Sequence, residues 1–192
     1  DNGEKEPDFI RFEDVSFSYI PGKTILKNIS FSLKKGESLG IIGATGSGKT
    51  TIINLLMRFY EADSGKIFID EKNVMSMTEE ELRKRFGVAF QNDTMFEDTV
   101  YENISLYRHI DDKRVMRAAE DADIASHIEK MEGGLKAGVA IKGANLSGGQ
   151  KQRMLIARAL AGNPEILVLD DSSSALDYKT DAKVRAAIRE HY

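Results

Sequence analysis

A glycine-rich segment, GATGSGKT, runs from Gly43 to Thr50 and fits the phosphate-loop pattern G-x-x-x-x-G-K-[ST]. In such a loop successive backbone N–H groups turn towards a polyphosphate, Lys49 reaches the β- and γ-phosphates, and the Thr50 hydroxyl binds Mg²⁺. The alternative is a glycine-rich turn with a surface lysine. The apolar run at residues 39–42 predicts a short buried strand before the loop, and helical spacing after it predicts a helix that begins near Lys49. We therefore predict a nucleoside triphosphate site.

A second motif, LSGGQ, occupies residues 146–150. Ser147 stands where a helix N-cap is expected, so the exposed N–H groups, the hydroxyl and the helix dipole form a second potential anion site. Taken alone, such a segment is more commonly a capped helix and nothing more. It is followed by a continuous apolar run at residues 166–169, typical of a buried parallel strand, which ends at Asp170. A carboxylate in that position beside a phosphate loop completes a Mg²⁺ shell.

The elements that position these motifs are predicted from the periodicity of apolar residues. Alternation at period two, with a turn at Pro21 and Gly22, predicts a small antiparallel sheet before the phosphate loop. The alternating residues are Ile10, Phe12, Val15, Phe17, Tyr19, Ile29, Phe31 and Leu33. A further short strand is predicted at residues 66–69. The fold class is therefore α/β.

The middle of the chain is predicted to be a helical insert at about residues 92–160. A capping box at Thr78 and Glu81 starts a helix before it, and residues 88–90 form a short strand. Asp111 caps a further helix, and a short one follows at residues 124–130. The first eight residues are polar and charged, which indicates a linker or a cut end.

Composition limits the class of partner. The 192 residues are 41% hydrophobic and 30% charged, with a net charge of −4, so neither nucleic acid nor an anionic membrane surface is expected as a partner. The chain has no cysteine, which excludes a disulfide framework and a thiolate metal site. No apolar run approaches the ~18 residues of a membrane span, and we expect that the chain does not cross a membrane by itself.

Together, the phosphate loop, Gln91, LSGGQ, ILVLD and the segment from Ser174 to Asp177 resemble the nucleotide-binding domain of an ATP-binding cassette (ABC) transporter. The resemblance extends from about Phe9 to the C-terminus. It implies a RecA-like phosphate-loop core with an antiparallel β-subdomain and a helical insert. The segment MFEDTVYENI, from Met95 to Ile104, is similar to the exporter branch, where it lies next to the loop that meets the transmembrane helices.

The resemblance also implies roles for single residues. Tyr19 matches the aromatic that stacks on adenine; the disfavoured alternative is an ordinary core-facing strand tyrosine. Gln91 matches the glutamine that reaches Mg²⁺ and the attacking water, and Asp170 matches the Mg²⁺-shell carboxylate. The motif LSGGQ matches the signature that closes over an ATP bound to a second domain. The residues expected to hold ATP are Tyr19, Gly43, Thr45, Gly46, Ser47, Gly48, Lys49, Thr50, Thr51, Gln91, Ser147, Gly148, Gly149 and Gln150.

From these matches we expect an ATPase whose cofactors are ATP and Mg²⁺. Its partners are a second ABC nucleotide-binding domain and the transmembrane domain of a transporter, and its place is the cytoplasmic face of the cell membrane. The expected metal ligands are Thr50, Gln91 and Asp170, and the expected catalytic residues are Asp171, Gln91 and Lys49. ATP binding closes the pair of domains and hydrolysis opens it.

Asp171 departs from the family pattern, which has glutamate, the residue thought to polarise the attacking water. Aspartate is one methylene shorter, so its carboxylate falls about 1.5 Å short of a hydrogen-bond reach of about 2.6–3.2 Å. The alternative is that aspartate works after a small backbone shift. We favour slow hydrolysis at this site and an intact signature that serves a non-identical partner, whose own signature is damaged.

Two further departures concern coupling and the C-terminus. Residues 139–143 lack the glutamate that such exporters usually carry near Ile141, where it helps couple the domain to the membrane helices. Its absence puts the coupling residues on this side in doubt. The next strand and the family's switch histidine are missing, and His191 is not a substitute because it follows the Asp177 loop too closely. His109 and His127 are interpreted as surface or helix-end residues.

Other functions stay open at this point. A regulatory nucleotide-binding module without useful turnover, or a competent homodimeric exporter, fits the same motifs. A soluble, non-transport ABC protein is disfavoured by the exporter-like segment, and a phosphate-loop kinase would have no use for LSGGQ. In the family that the chain resembles, membrane helices choose the transported substrate, so this sequence does not identify it.

Overall fold

The computed structural model describes residues 7–90, 93–170 and 175–192. The chain divides into two compact units, Asp1–Arg83 and Lys84–Tyr192. The elements of the first unit are β1 (Ile10–Phe17), β2 (Leu26–Leu33), α1 (Lys49–Leu56), β3 (Ser64–Ile69), β4 (Lys72–Asn73), a 3₁₀ turn (Val74–Ser76) and α2 (Glu79–Lys84), which ends one residue into the second. Those of the second unit are β5 (Phe86–Phe90), β6 (Asp98–Thr99), α3 (Val100–Ser105), α4 (Asp112–Asp121), α5 (Ala125–Lys130), β7 (Gly138–Val139), α6 (Gly148–Ala161), β8 (Ile166–Asp170) and α7 (Tyr178–His191), with 3₁₀ turns at Gly134–Lys136 and Ile141–Gly143.

The first unit is built on an antiparallel sheet of order β2-β1-β3-β4, as the alternating pattern predicts. The side chains of Phe12, Val15 and Ile69 are buried, with at most 1% of their surface exposed. Phe12 stacks on Phe31 of β2 with ring centroids 4.5 Å apart. The predicted turn after β1 is present, with Gly22 in the left-handed region at φ 82°.

The predicted buried strand at residues 39–42 is wrong. The segment is not assigned to a strand, and Ile42 is 98% exposed and Leu39 47% exposed. A continuous apolar run is typical of a strand covered on both faces, but apolar residues do not form a strand unless a neighbour takes their backbone hydrogen bonds. No strand ladder in the described ranges includes this segment.

The core of the second unit lies between α6 and the shorter helices α3, α4 and α5. The buried residues of α6 pack with those of α3, α4 and α5, among them Ile104, Val115, Ile128 and Met154. Strand β8 pairs in parallel with β5, so that Val168 lies opposite Val88 and Asp170 opposite Phe90. This pairing places Asp170 at the carboxyl edge of the two strands, as the sequence predicts.

Side-chain caps begin several helices where the sequence places them. Thr78 and Glu81 exchange hydrogen bonds of 2.8 and 3.2 Å between side chain and backbone, which completes the predicted capping box of α2. Asp111 caps α4 by accepting the N–H of Arg114 at 3.0 Å. No helix within residues 7–90, 93–170 and 175–192 is long and apolar enough to cross a membrane.

Candidate nucleotide-binding site

The phosphate loop follows a segment without regular secondary structure and leads into α1, which begins at Lys49 as predicted. Gly46 and Gly48 adopt φ values of 81° and 92°, in the left-handed region that glycine tolerates without strain. Gly48 is the N-cap of α1 and provides no side-chain cap, so the first N–H groups of the helix are not covered by a capping side chain. A Cβ on Gly48 would lie 2.8 Å from Leu26 Cδ2, and any other residue would be strained at this backbone conformation.

Lys49 lies over the loop that it follows. Its Nζ donates to the carbonyl oxygens of Gly43 at 2.7 Å and Ala44 at 2.9 Å. The ammonium group is therefore held at the loop rather than extended into solvent. With the N-terminus of α1 it concentrates positive charge where a polyphosphate would lie, so the residues present fit that group.

Tyr19 lies next to α1 and is not a core-facing tyrosine, because 44% of its surface is exposed. Its hydroxyl is 3.1 Å from the Thr51 hydroxyl and accepts from Asn54 Nδ2 at 3.4 Å. The Tyr19 ring meets Phe17 and Tyr60 edge-on, with centroids 4.8 and 5.0 Å away. The sequence pattern did not single out Asn54 or Tyr60, whose positions become meaningful only once Tyr19 lies beside them.

The LSGGQ motif begins α6 with a reciprocal cap. Ser147 Oγ accepts the Gln150 N–H at 3.2 Å, and Gln150 Oε1 accepts the Ser147 N–H at 2.8 Å. Ser147 and Gly148 are exposed, whereas Gly149 and Gln150 are half-buried. The predicted cap is therefore present, and the first turn of α6 faces solvent.

The segment after β8 contacts the same helix. Ala175 N–H donates to Gln152 Oε1 at 2.8 Å, and Asp177 caps α7 by accepting the N–H of Thr180 at 3.0 Å. The pKa of Asp177 is lowered because the Thr180 N–H and hydroxyl both donate to its carboxylate.

The predicted residues Gln91, Asp171 and Ser174 lie outside the described residues. The phosphate loop and Tyr19 belong to the first unit, and LSGGQ and Asp170 belong to the second.

A model of the ABC transporter family matches residues 26–174, which is more than half of the chain. This chain belongs to the ABC transporter family. It is a nucleotide-binding domain of the exporter type, and ATP-binding domains of this family are ATPases.

The relatives of this ABC domain include several transporters. It is 43% identical to the mitochondrial iron-sulfur clusters transporter atm1 of Aspergillus fumigatus, over 90% of this chain and 24% of that protein. It is 42% identical to an ATP-dependent lipid A-core flippase of Coxiella burnetii, over 93% of this chain and 31% of that protein. A solved structure of a bacterial Atm1-family ABC exporter with ATP bound matches with a TM-score of 0.88 and 37% identity, over 94% of this chain and 32% of that one. The chain thus spans about a quarter to a third of the length of these proteins.

Arg158 of α6 forms hydrogen bonds to the exporter-like segment of the ABC domain. This side chain is buried, and it donates to the carbonyl oxygens of Asn103 at 2.7 Å and Thr94 at 2.9 Å and to Asn103 Oδ1 at 3.2 Å. Asn103 in turn accepts the Phe96 N–H at 2.8 Å. Burial lowers the pKa of Arg158. Sequence reasoning missed this residue, which interrupts the apolar face of α6 without any local motif.

Replacing Arg158 with methionine, which is of similar length, should destabilise the domain by about 2 kcal/mol. The carbonyl oxygens of Asn103 and Thr94 would lose the Arg158 donors, and Asn103 Oδ1 would keep only the Phe96 N–H. Chemical denaturation of the purified chain measures the free energy of unfolding. The matched control is Arg83→Met, which removes only an exposed ion pair to Glu79 and should cost about 0.5 kcal/mol or less. Equal losses in the two variants would contradict a special role for the buried network.

Proposed function

We propose that this chain binds ATP and powers or gates export across a membrane as one of a pair of such domains. The observation that carries the proposal is the phosphate loop, where Lys49 Nζ lies 2.7 Å from the Gly43 carbonyl oxygen beside a helix N-terminus without a side-chain cap. The presence of LSGGQ in the same chain supports a second role, that of closing over an ATP bound to a facing domain. ATP binding would close the pair and hydrolysis would open it, driving transmembrane helices at the cytoplasmic face of the membrane.

Magnesium is the metal that this site would use. Thr50, Gln91 and Asp170 would hold it, and hydroxyl, amide and carboxylate oxygens are the hard ligands that Mg²⁺ prefers. When bound, Mg²⁺ would neutralise charge that develops on the β- and γ-phosphate oxygens. Lys49 and the N–H groups of the loop would bind and orient the phosphates, and Tyr19 would stack on the adenine. Gln91 would orient the attacking water.

The finer proposal is that this chain's own site hydrolyses ATP slowly and that its partner is a different chain. The support is Asp171, whose carboxylate is one methylene shorter than that of the glutamate in the family pattern, together with an unaltered LSGGQ. The partner would then carry glutamate after its own aspartate strand and a damaged signature. A partner with the reverse pattern, or a second copy of this chain, would overturn this proposal.

Turnover by the complete transporter tests the role of Asp171. We expect Asp171→Ala to leave ATP turnover within about threefold of the unmodified protein, because a residue that is not a working base supplies little of the ~10²–10⁴-fold that general-base catalysis provides. Lys49→Ala serves as the binding control.

The contrary outcomes identify the alternatives. A fall of about 10²-fold or more with Asp171→Ala would show that Asp171 is a working base, as a competent homodimeric exporter requires. If the complete protein binds ATP but shows no turnover with or without Asp171, a regulatory nucleotide-binding module fits better.

A further inference from the structure

Two side chains contact the last residues of the LSGGQ motif, Arg153 of α6 and His127 of α5. Arg153 Nη1 donates to the Asp123 carbonyl oxygen at 2.7 Å, and Arg153 Nε donates to the Gly149 carbonyl oxygen at 3.2 Å. His127 Nδ1 lies 3.3 Å from Gln150 Nε2. Helix α5 therefore contacts the glutamine of the motif directly, whereas the α4–α5 connection reaches the second glycine only through Arg153.

The cap of α6 fixes which atom of the Gln150 amide faces His127. The Ser147 N–H is a donor, so the end of the amide that lies 2.8 Å from it must be the oxygen. The NH₂ group then points to His127 Nδ1 and must donate to it. Nδ1 consequently carries the lone pair, and the hydrogen of a neutral His127 resides on Nε2.

We propose that His127 is a positioning residue for Ser147 and acts through Gln150. His127 accepts a hydrogen bond from the side-chain amide of Gln150, and the oxygen of that amide accepts the Ser147 N–H. The backbone N–H of Gln150 donates to the Ser147 hydroxyl oxygen. The Ser147 hydroxyl oxygen accepts the Gln150 backbone N–H, so its own hydrogen is available, and the exposed Ser147 could donate it to a phosphate on a facing domain. This inference rests on the proposed function, because it matters only if LSGGQ contacts nucleotide.

Three variants of His127 separate positioning from packing. Asparagine places an acceptor oxygen where Nδ1 lies, glutamine places its acceptor one bond further out, and leucine keeps bulk but offers no acceptor. In the complete transporter, we expect KM for ATP to rise about threefold to tenfold in His127→Leu and His127→Gln, the loss expected for one orienting hydrogen bond. His127→Asn should stay within twofold of the unmodified protein, and kcat should change less than KM in all three.

A purely structural role would give a different pattern. If His127→Asn and His127→Leu raise KM equally, or if no variant changes it, the inference is wrong. Should His127→Leu fail to fold, the comparison of His127→Asn with His127→Gln still distinguishes a positioning role from a purely structural one. The affinity of Lys49→Ala for ATP distinguishes failure of the proposed function from failure of this inference. If that affinity is unchanged, the proposed function is wrong. If it is reduced but none of the His127 variants changes KM for ATP, only the positioning role is wrong.

Discussion

Lys49→Ala should weaken ATP binding to this chain by about 10²-fold or more. The Lys49 ammonium, now 2.7 Å from the Gly43 carbonyl oxygen and 2.9 Å from the Ala44 carbonyl oxygen, is placed at the loop so that it could exchange these acceptors for phosphate oxygens. Charge-assisted hydrogen bonds contribute about 1.5–3 kcal/mol each, and two of them account for a loss of that size. Equilibrium dialysis with labelled ATP measures the dissociation constant directly.

The matched control is Lys27→Ala, which removes an exposed lysine of β2 in the same unit and the same amount of charge. Its effect on affinity should be less than about twofold, because an exposed charge away from the ligand is screened by solvent. If Lys49→Ala binds ATP as tightly as Lys27→Ala, the loop is a glycine-rich turn with a surface lysine, and the proposed site is wrong.

Gly87→Ala should destabilise the domain by about 3 kcal/mol or more, because there is no room for a Cβ where β5 crosses α6. The added atom would collide with the Ala159 carbonyl oxygen and would lie 2.7 Å from Pro164 Cγ. Neither neighbour is the free end of a flexible side chain, so strand and helix backbone would have to separate. Chemical denaturation followed by far-UV circular dichroism gives the free energy of unfolding.

Gly138→Ala makes the same chemical change at another strand glycine of the second unit, where an added Cβ would meet no atom within 4 Å. It should change stability by no more than about 1 kcal/mol, and could raise it by restricting the unfolded chain. A small loss in Gly87→Ala, comparable with that control, would mean that α6 can move away from β5 at little cost.

Local signals explain most of what the sequence predicted correctly. The caps at Thr78, Asp111 and Ser147 depend on residues three positions apart, and the start of α1 at Lys49 depends on a glycine and the apolar spacing that follows. The alternation in β1 and β2 likewise identified a sheet with one covered face. These features need no knowledge of distant parts of the chain.

Long-range packing explains what the sequence did not supply. Residues 39–42 have the apolar composition of a buried strand, but composition does not provide a pairing partner. His127 resembled an ordinary helix-end residue until the fold placed it 3.3 Å from Gln150, which lies 23 positions later. Gly87 and Arg158 carry no motif, and their importance comes from neighbours on other elements.

Arg158 has a mechanical consequence. Arg158 of the signature helix α6 donates to Asn103 of the exporter-like segment and to Thr94, the residue before that segment. Under the proposed function, a force that membrane helices apply to this segment would reach α6, and with it Ser147, through these hydrogen bonds. The same link works in reverse, since thermodynamic coupling between two sites has no preferred direction. Cargo on the membrane side and nucleotide at the signature would thus each alter the affinity of the other.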